Sequence, residues 1–251
     1  DASPLAIAPP PNPFRLLADP AGYVACQWDL TEPSELQQYW INLFRTHLPS
    51  LLATYRKRVS EEGGDLADAD RRADAVEREF FAYLDRIEQD PGIHGRLDII
   101  TICWARERAL RKAGTGDVYR LAKKVEDDLA LKVLPDVLAE HDAVTDPRKK
   151  AELALRGVFA GNIFDLGATE TLELFDDGKT IDFHAVRGEL RPRPWLIDDL
   201  DALLDRLTGP AHQAALLMVD NAGSDIVLGM IPLARFLLQR GTQVILAAND
   251  D

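Results

Sequence analysis

Two short apolar runs, each closed by an amide and a carboxylate, constrain this chain more than any other feature. Ala214 to Val219 is a run of strand length, and Asp220-Asn221 follows it. Ala222-Gly223-Ser224 reads as a turn that opens a helix. From Asp225 to Gln239 the residues Ile226, Val227, Met230, Leu233, Ala234 and Leu237 recur at helical spacing. Arg240-Gly241 supplies a cation and a flexible residue where that helix should stop. Gln243 to Ala248 is the second run, with Asn249 and Asp250 behind it. A strand–helix–strand unit predicts two parallel strands joined by a right-handed crossover.

That arrangement suggests a chemistry. Open parallel sheets bind ligands at the carboxyl ends of their strands, which is where Asp220, Asn221 and Asn249 fall. Side-chain oxygens of Asp and Asn suit a hard divalent cation such as magnesium or manganese. The amides at the start of the following helix favour a phosphate. A plainer reading makes Asp220-Asn221 a helix cap. On the residues alone, both readings stand.

Composition narrows the partners. The 251 residues carry a formal charge of −13, which disfavours nucleic acid and anionic membrane, since either needs a basic face. No segment approaches the roughly 20 apolar residues of a membrane span. Cys26 and Cys103 lie far apart without ligand spacing and fit reduced thiols in a cytoplasmic protein. His47, His94, His141, His184 and His212 are scattered, so a zinc site is not expected.

In chain order, residues 1–30 form an extended leader rich in proline, 31–207 a mainly helical region, and 208–251 the start of an α/β core. The expected fold class is therefore α/β: a helical N-terminal region, then a Rossmann-like parallel sheet with flanking helices, of which only the first strands are present. Thr31 is expected to cap the first helix, Pro49 to interrupt it, and a second long helix to begin at Arg71. Gly114-Thr115-Gly116-Asp117 lacks the Gly-Lys-Ser/Thr ending of a phosphate loop. Helices are expected at Val118–Lys124 and Glu126–Glu140, with Pro135 bending or ending one of them, and another after Asp146-Pro147. That helix runs into Ala160-Gly161-Asn162-Ile163-Phe164-Asp165-Leu166-Gly167-Ala168, where Asn162 and Asp165 sit among apolar residues and, if buried, need polar partners. Arg191 and Arg193, in a Pro-rich turn before Trp195, read as surface charges.

Val219-Asp220-Asn221-Ala222-Gly223-Ser224-Asp225-Ile226-Val227-Leu228-Gly229, with Pro232, Arg235 and Arg240 to Asn249, resembles the core of the metal-dependent damage-control phosphatases. The branch it resembles is fused to, or encoded beside, pantothenate kinase in eukaryotes. The Ala-Gly-Asn-x-x-Asp-x-Gly run and Arg-Pro-Trp at 193–195 resemble the same branch. The resemblance implies a divalent-metal-dependent phosphomonoester hydrolase acting on 4'-phosphopantetheine or related damaged phosphometabolites. It implies Asp220 and Asn221 as metal ligands and catalytic residues, with Asn162, Asp165, Gly223 and Ser224 binding substrate. Magnesium, manganese, cobalt or nickel would be the cofactor. In the family a third ligand, an aspartate, lies several residues past the position of Asn249. The chain ends at Asp251, so that ligand is expected beyond it, or from Asp250 or Asp251. Expected partners are a small phosphate ester and, for assembly, a second copy or pantothenate kinase. The competing readings are a non-catalytic helical scaffolding module, a sugar-phosphate phosphatase, and a nucleotide binder, the last weakened by the missing paired glycines after the strand.

Overall fold

The computed structural model describes residues 28–164 and 183–249. Contacts divide the chain into two units, Asp1–Tyr119 and Arg120–Asp251.

The first unit is helical: α1 (Glu35–Glu61), α2 (Leu66–Gln89) and α3 (Ile99–Ala113). Ser34, not Thr31, caps α1, its hydroxyl accepting the Gln37 amide at 3.1 Å. Thr31 instead accepts the amide of Leu97 at 2.9 Å. Pro49 lies inside α1 without ending it. Leu48, Leu51 and Leu52 around it are buried, and that packing offsets the hydrogen bond the ring removes. The second helix starts five residues earlier than its apolar pattern suggests, because Asp65 accepts the amides of Ala67 and Asp68 and so caps Leu66 onward. Phe44, Val76, Phe80, Leu84, Ile87 and Ile102 belong to the shared core.

The Gly114–Asp117 loop is held from inside this unit. The Arg58 guanidinium donates to the carbonyls of Thr115 at 2.6 Å and Asp117 at 2.7 Å. It also lies over the Tyr55 ring. Arg58→Ala would strand both carbonyls, and we expect it to lower the unfolding free energy of this unit by about 2–3 kcal/mol in urea titrations. Arg58→Lys should recover only part of that loss, since an ammonium lacks the planar fork.

The second unit carries the strands. Its helices are α4 (Arg120–Ala143), α5 (Pro147–Phe164), α6 (Phe183–Gly188) and α7 (Leu200–Thr208). α4 is one helix where two were expected, with Pro135 inside it. β1 (Ala214–Met218) and β2 (Gln243–Ala247) pair in parallel, Ala214 beside Gln243 and Met218 beside Ala247. The chain is thus α/β, largely helical, with a parallel strand pair near its C-terminal end. Between the strands, a π-helical turn (Asp225–Met230) runs directly into α8 (Ile231–Gln239).

Two physical causes account for that widened turn. Pro232 has no amide to give to Leu228, and its ring crowds the preceding turn. The amide of Ile231 accordingly reaches back five residues, to the Ile226 carbonyl. Close packing on α5 is the second cause. A Cβ on Gly229 would come within 2.9 Å of Val158 Cα, and one on Gly161 within 3.0 Å of Asp225 Cα and the Ser224 carbonyl. Only glycine lets the two backbones approach this closely.

One face of the strand pair is covered. Ala215, Leu217 and Val244 pack with Leu200 and Leu204 of α7 and Phe236 and Leu237 of α8. On the other face Leu216, Met218 and Ile245 are exposed. At the end of α8, Arg240 reaches across to the carbonyls of Thr208 and Gly209, closing the C-terminus of α7. Arg193, expected as a surface charge, holds both carboxylate oxygens of Asp198 and one of Asp201, while Arg148 of α5 pairs with Asp201 and Asp205.

A buried histidine gives this unit an acid sensitivity. His141 of α4 is 3% exposed, and its Nε2 has no hydrogen-bond partner among the described residues. Burial, reinforced by the Arg187 charge, holds its pKa down to about 4 against an ordinary 6.5, with Glu140 opposing. The unfolded chain therefore binds this proton more readily than the folded one. Stability is complete above about pH 6.5 and is lost as pH falls toward about 4. Between pH 7.5 and 5 the wild-type protein should lose about 2 kcal/mol that a His141→Gln variant does not. Urea unfolding of both proteins at the two pH values measures the difference.

Candidate metal and phosphate site

The site is built on the loop that leaves β1. Asp220 is exposed and Asn221 half-buried. The Asn221 amide donates to Asp220 Oδ1 at 2.8 Å, and no other described residue holds the Asp220 carboxylate. Its Oδ2 is therefore available to a ligand. The Val219 amide donates to the Ala247 carbonyl at 2.9 Å, so the pairing of the strands continues past their last paired residues. Asp220 and Asn249 each lie two residues past the last paired position of their strand, Met218 and Ala247. Neighbouring strands lie about 4.8 Å apart, within reach of a common ion. One carboxylate with two side-chain amide oxygens is a donor set of hard oxygens. Such a set would suit a magnesium- or manganese-like cation.

Among the described residues, no group of three His, Cys, Asp or Glu side chains gathers around a common point. Asp250 and Asp251 lie outside the described residues.

Behind the two candidate ligands the loop turns at Gly223, whose φ of +98° a larger residue rarely adopts. Its amide donates to Asp127 Oδ1 at 2.8 Å, and the Ser224 amide to Glu126 Oε1 at 3.0 Å. Ser224 and Glu126 are 1% and 5% exposed, so the second bond is shielded from water. The amides expected to face a phosphate thus already carry carboxylates from the second turn of α4. They are anion-binding groups, and in this structure the anions belong to the protein.

The last turn of α5 completes the surroundings. Gly161 presses on Ser224 and Asp225, and Asn162 follows it on the exposed side of the helix. Asn162 is not a buried polar group requiring a local partner; it faces solvent beside the loop. Asp165 lies outside the described residues. The end of α5 thus lies against Ser224 and Asp225 of the loop that follows β1, with Asn162 the next residue along the helix after Gly161.

Glu126 and Asp127 escaped the sequence reading. They sit 98 and 96 residues from the amides they accept. Only the fold brings them to the loop.

Together these features define an α/β protein with a candidate oxygen-ligand cation site at the carboxyl edge of a parallel strand pair. The damage-control phosphatase ARMT1-like domain matches residues 43–251. The chain belongs to that family.

Several curated relatives are similar to nearly the whole chain. "Pantothenate kinase 2" of Arabidopsis thaliana is 39% identical across 98% of this chain and 27% of the relative. "Damage-control phosphatase At2g17340", also of Arabidopsis thaliana, is 37% identical across 95% of this chain and 63% of the relative. "4'-phosphopantetheine phosphatase" of Mus musculus is 34% identical across 93% and 28% respectively. The chain thus spans about a quarter of the length of the pantothenate kinase relative.

Proposed function

We propose that this protein is a divalent-metal-dependent phosphomonoester hydrolase acting on 4'-phosphopantetheine or its oxidised and damaged forms. Family membership and the activities named for the relatives support the reaction class. The observation that carries the reading on this chain is the Asp220 carboxylate, exposed just after β1 and held, among the described residues, by its neighbour's amide alone.

Asp220 Oδ2 and the amide oxygen of Asn221 hold the cation in this reading, with Asn249 facing them from β2. When bound, such a cation polarises a phosphoryl oxygen and makes a nearby water a better nucleophile. The Asn221 amide fixes the carboxylate's direction by occupying Oδ1. Gly223 and Ser224 shape the loop through their backbone, so they act on substrate through the position of Asp220 and Asn221. In this reading Asn162, exposed at the end of α5, hydrogen-bonds the alcohol portion of the ester, and Asp165 is assigned to the same task. No described helix is long and apolar enough to cross a membrane. The reading carries with it a cytoplasmic location and, as the relatives' names suggest, an association with pantothenate kinase.

Phosphate release from p-nitrophenyl phosphate and from 4'-phosphopantetheine tests this directly. Protein stripped with EDTA should be inactive, and one or more of magnesium, manganese, cobalt and nickel should restore turnover. Hydrolysis that survives chelation, or a folded protein inert with every metal and ester, would contradict the reading.

A further inference from the structure

The loop that presents Asp220 and Asn221 is short and partly exposed, and it joins the following helix through the Val227 amide, which donates to the Gly223 carbonyl at 3.1 Å; contacts from outside the loop add to what fixes its shape. Its two innermost amides, at Gly223 and Ser224, donate to Asp127 and Glu126 of α4 at 2.8 and 3.0 Å. Hydrogen bonds to a charged acceptor are about twice as strong as neutral ones, and a buried pair excludes the water that would compete. The fit is tight as well. A Cβ on Gly223 would lie 3.1 Å from the Glu126 carboxylate carbon and from Oε1, so the carboxylate rests directly against the glycine.

We propose that Glu126 and Asp127 are positioning residues of the metal site: by gripping the Gly223 and Ser224 amides they lock the loop in the shape that presents Asp220 and Asn221 to a cation. The inference rests on the metal-dependent reading above. It also alters that reading, because amides engaged by α4 are not donors to a substrate phosphate. Recognition of the phosphoryl group then falls to the cation and to side chains around it. Residues that orient metal ligands from behind commonly change metal affinity by about 10- to 100-fold when removed.

Manganese titration of the full chain by calorimetry, with hydrogen exchange of the 219–226 segment, tests the proposal. Asp127→Ala is the principal variant, since Asp127 is only half-buried and its loss leaves little cavity. Glu126→Ala is the stronger one, and Asp127→Asn and Glu126→Gln keep an acceptor oxygen at each place. The alanine variants should bind manganese about 10- to 100-fold more weakly and lose exchange protection at Gly223 and Ser224. The amide variants should recover most of both. At saturating manganese, kcat of Asp127→Ala should return to within a few-fold of wild type, which a direct catalytic role would not allow. Folded alanine variants with wild-type manganese affinity would overturn the proposal and leave the phosphatase reading intact. A wild-type protein that binds no divalent cation would overturn that reading and the proposal with it.

Discussion

Asp220→Ala should reduce phosphomonoester turnover by about 10³-fold or more, a loss of about 4 kcal/mol or more in transition-state stabilisation. The same change should hardly alter folding. Asp220 is exposed, and among the described residues its carboxylate accepts from the adjacent Asn221 amide alone, so unfolding free energy should move by no more than about 0.5 kcal/mol. Manganese binding should be lost in parallel with activity. Asp220→Asn keeps the acceptor for the Asn221 amide but removes the charge, and it should fail almost as completely. This contrast separates a metal ligand from a helix cap: if Asp220 only capped the helix, Asp220→Asn would restore function, because Asn caps as well as Asp. Phosphate-release kinetics and urea unfolding on the two variants decide between them.

The second large effect concerns folding, at the crossing of α5 with the π-helical turn. Valine at Gly161 or Gly229 would drive a side chain into backbone: Asp225 Cα and the Ser224 carbonyl in one case, Val158 Cα in the other. Backbone cannot rotate aside as a side chain can, so the helices must separate. We expect each substitution to cost about 2–3 kcal/mol of stability. Gly161→Val should also weaken manganese binding, because Ser224 is both the atom group displaced and a member of the site loop. Gly188→Ala is the control. A Cβ there meets nothing within 4 Å, so stability should stay within about 0.5 kcal/mol of wild type. Urea titration of the three variants, with manganese calorimetry on Gly161→Val, measures both effects.

The strand–helix–strand unit was readable because both strands are short apolar runs ending in Asx residues, and because Gly241, at φ +90°, stops the helix between them. Its widened first turn was not readable. The helical period of Asp225 to Gln239 is regular, and the π-turn arises from Pro232 together with the pressure of α5, a segment far away in sequence. The prolines misled in the same direction elsewhere. Pro49 and Pro135 each carry the local signal for a break, yet both lie inside long helices because buried neighbours hold the flanking turns in place. For the candidate site, what was legible is that Asp220 and Asn221 follow the first strand and Asn249 the second. The role of the Gly223 and Ser224 amides was only half legible: their anion preference is local, but the anions that satisfy it come from α4.

The central claim is that the oxygens of Asp220 and Asn221 hold a divalent cation. Anomalous diffraction from crystals grown with manganese tests it most directly. The account predicts one strong peak about 2.0–2.4 Å from an Asp220 carboxylate oxygen and the Asn221 side-chain oxygen. A well-ordered loop with no peak beside those two side chains, or a manganese ion bound solely elsewhere, would contradict it.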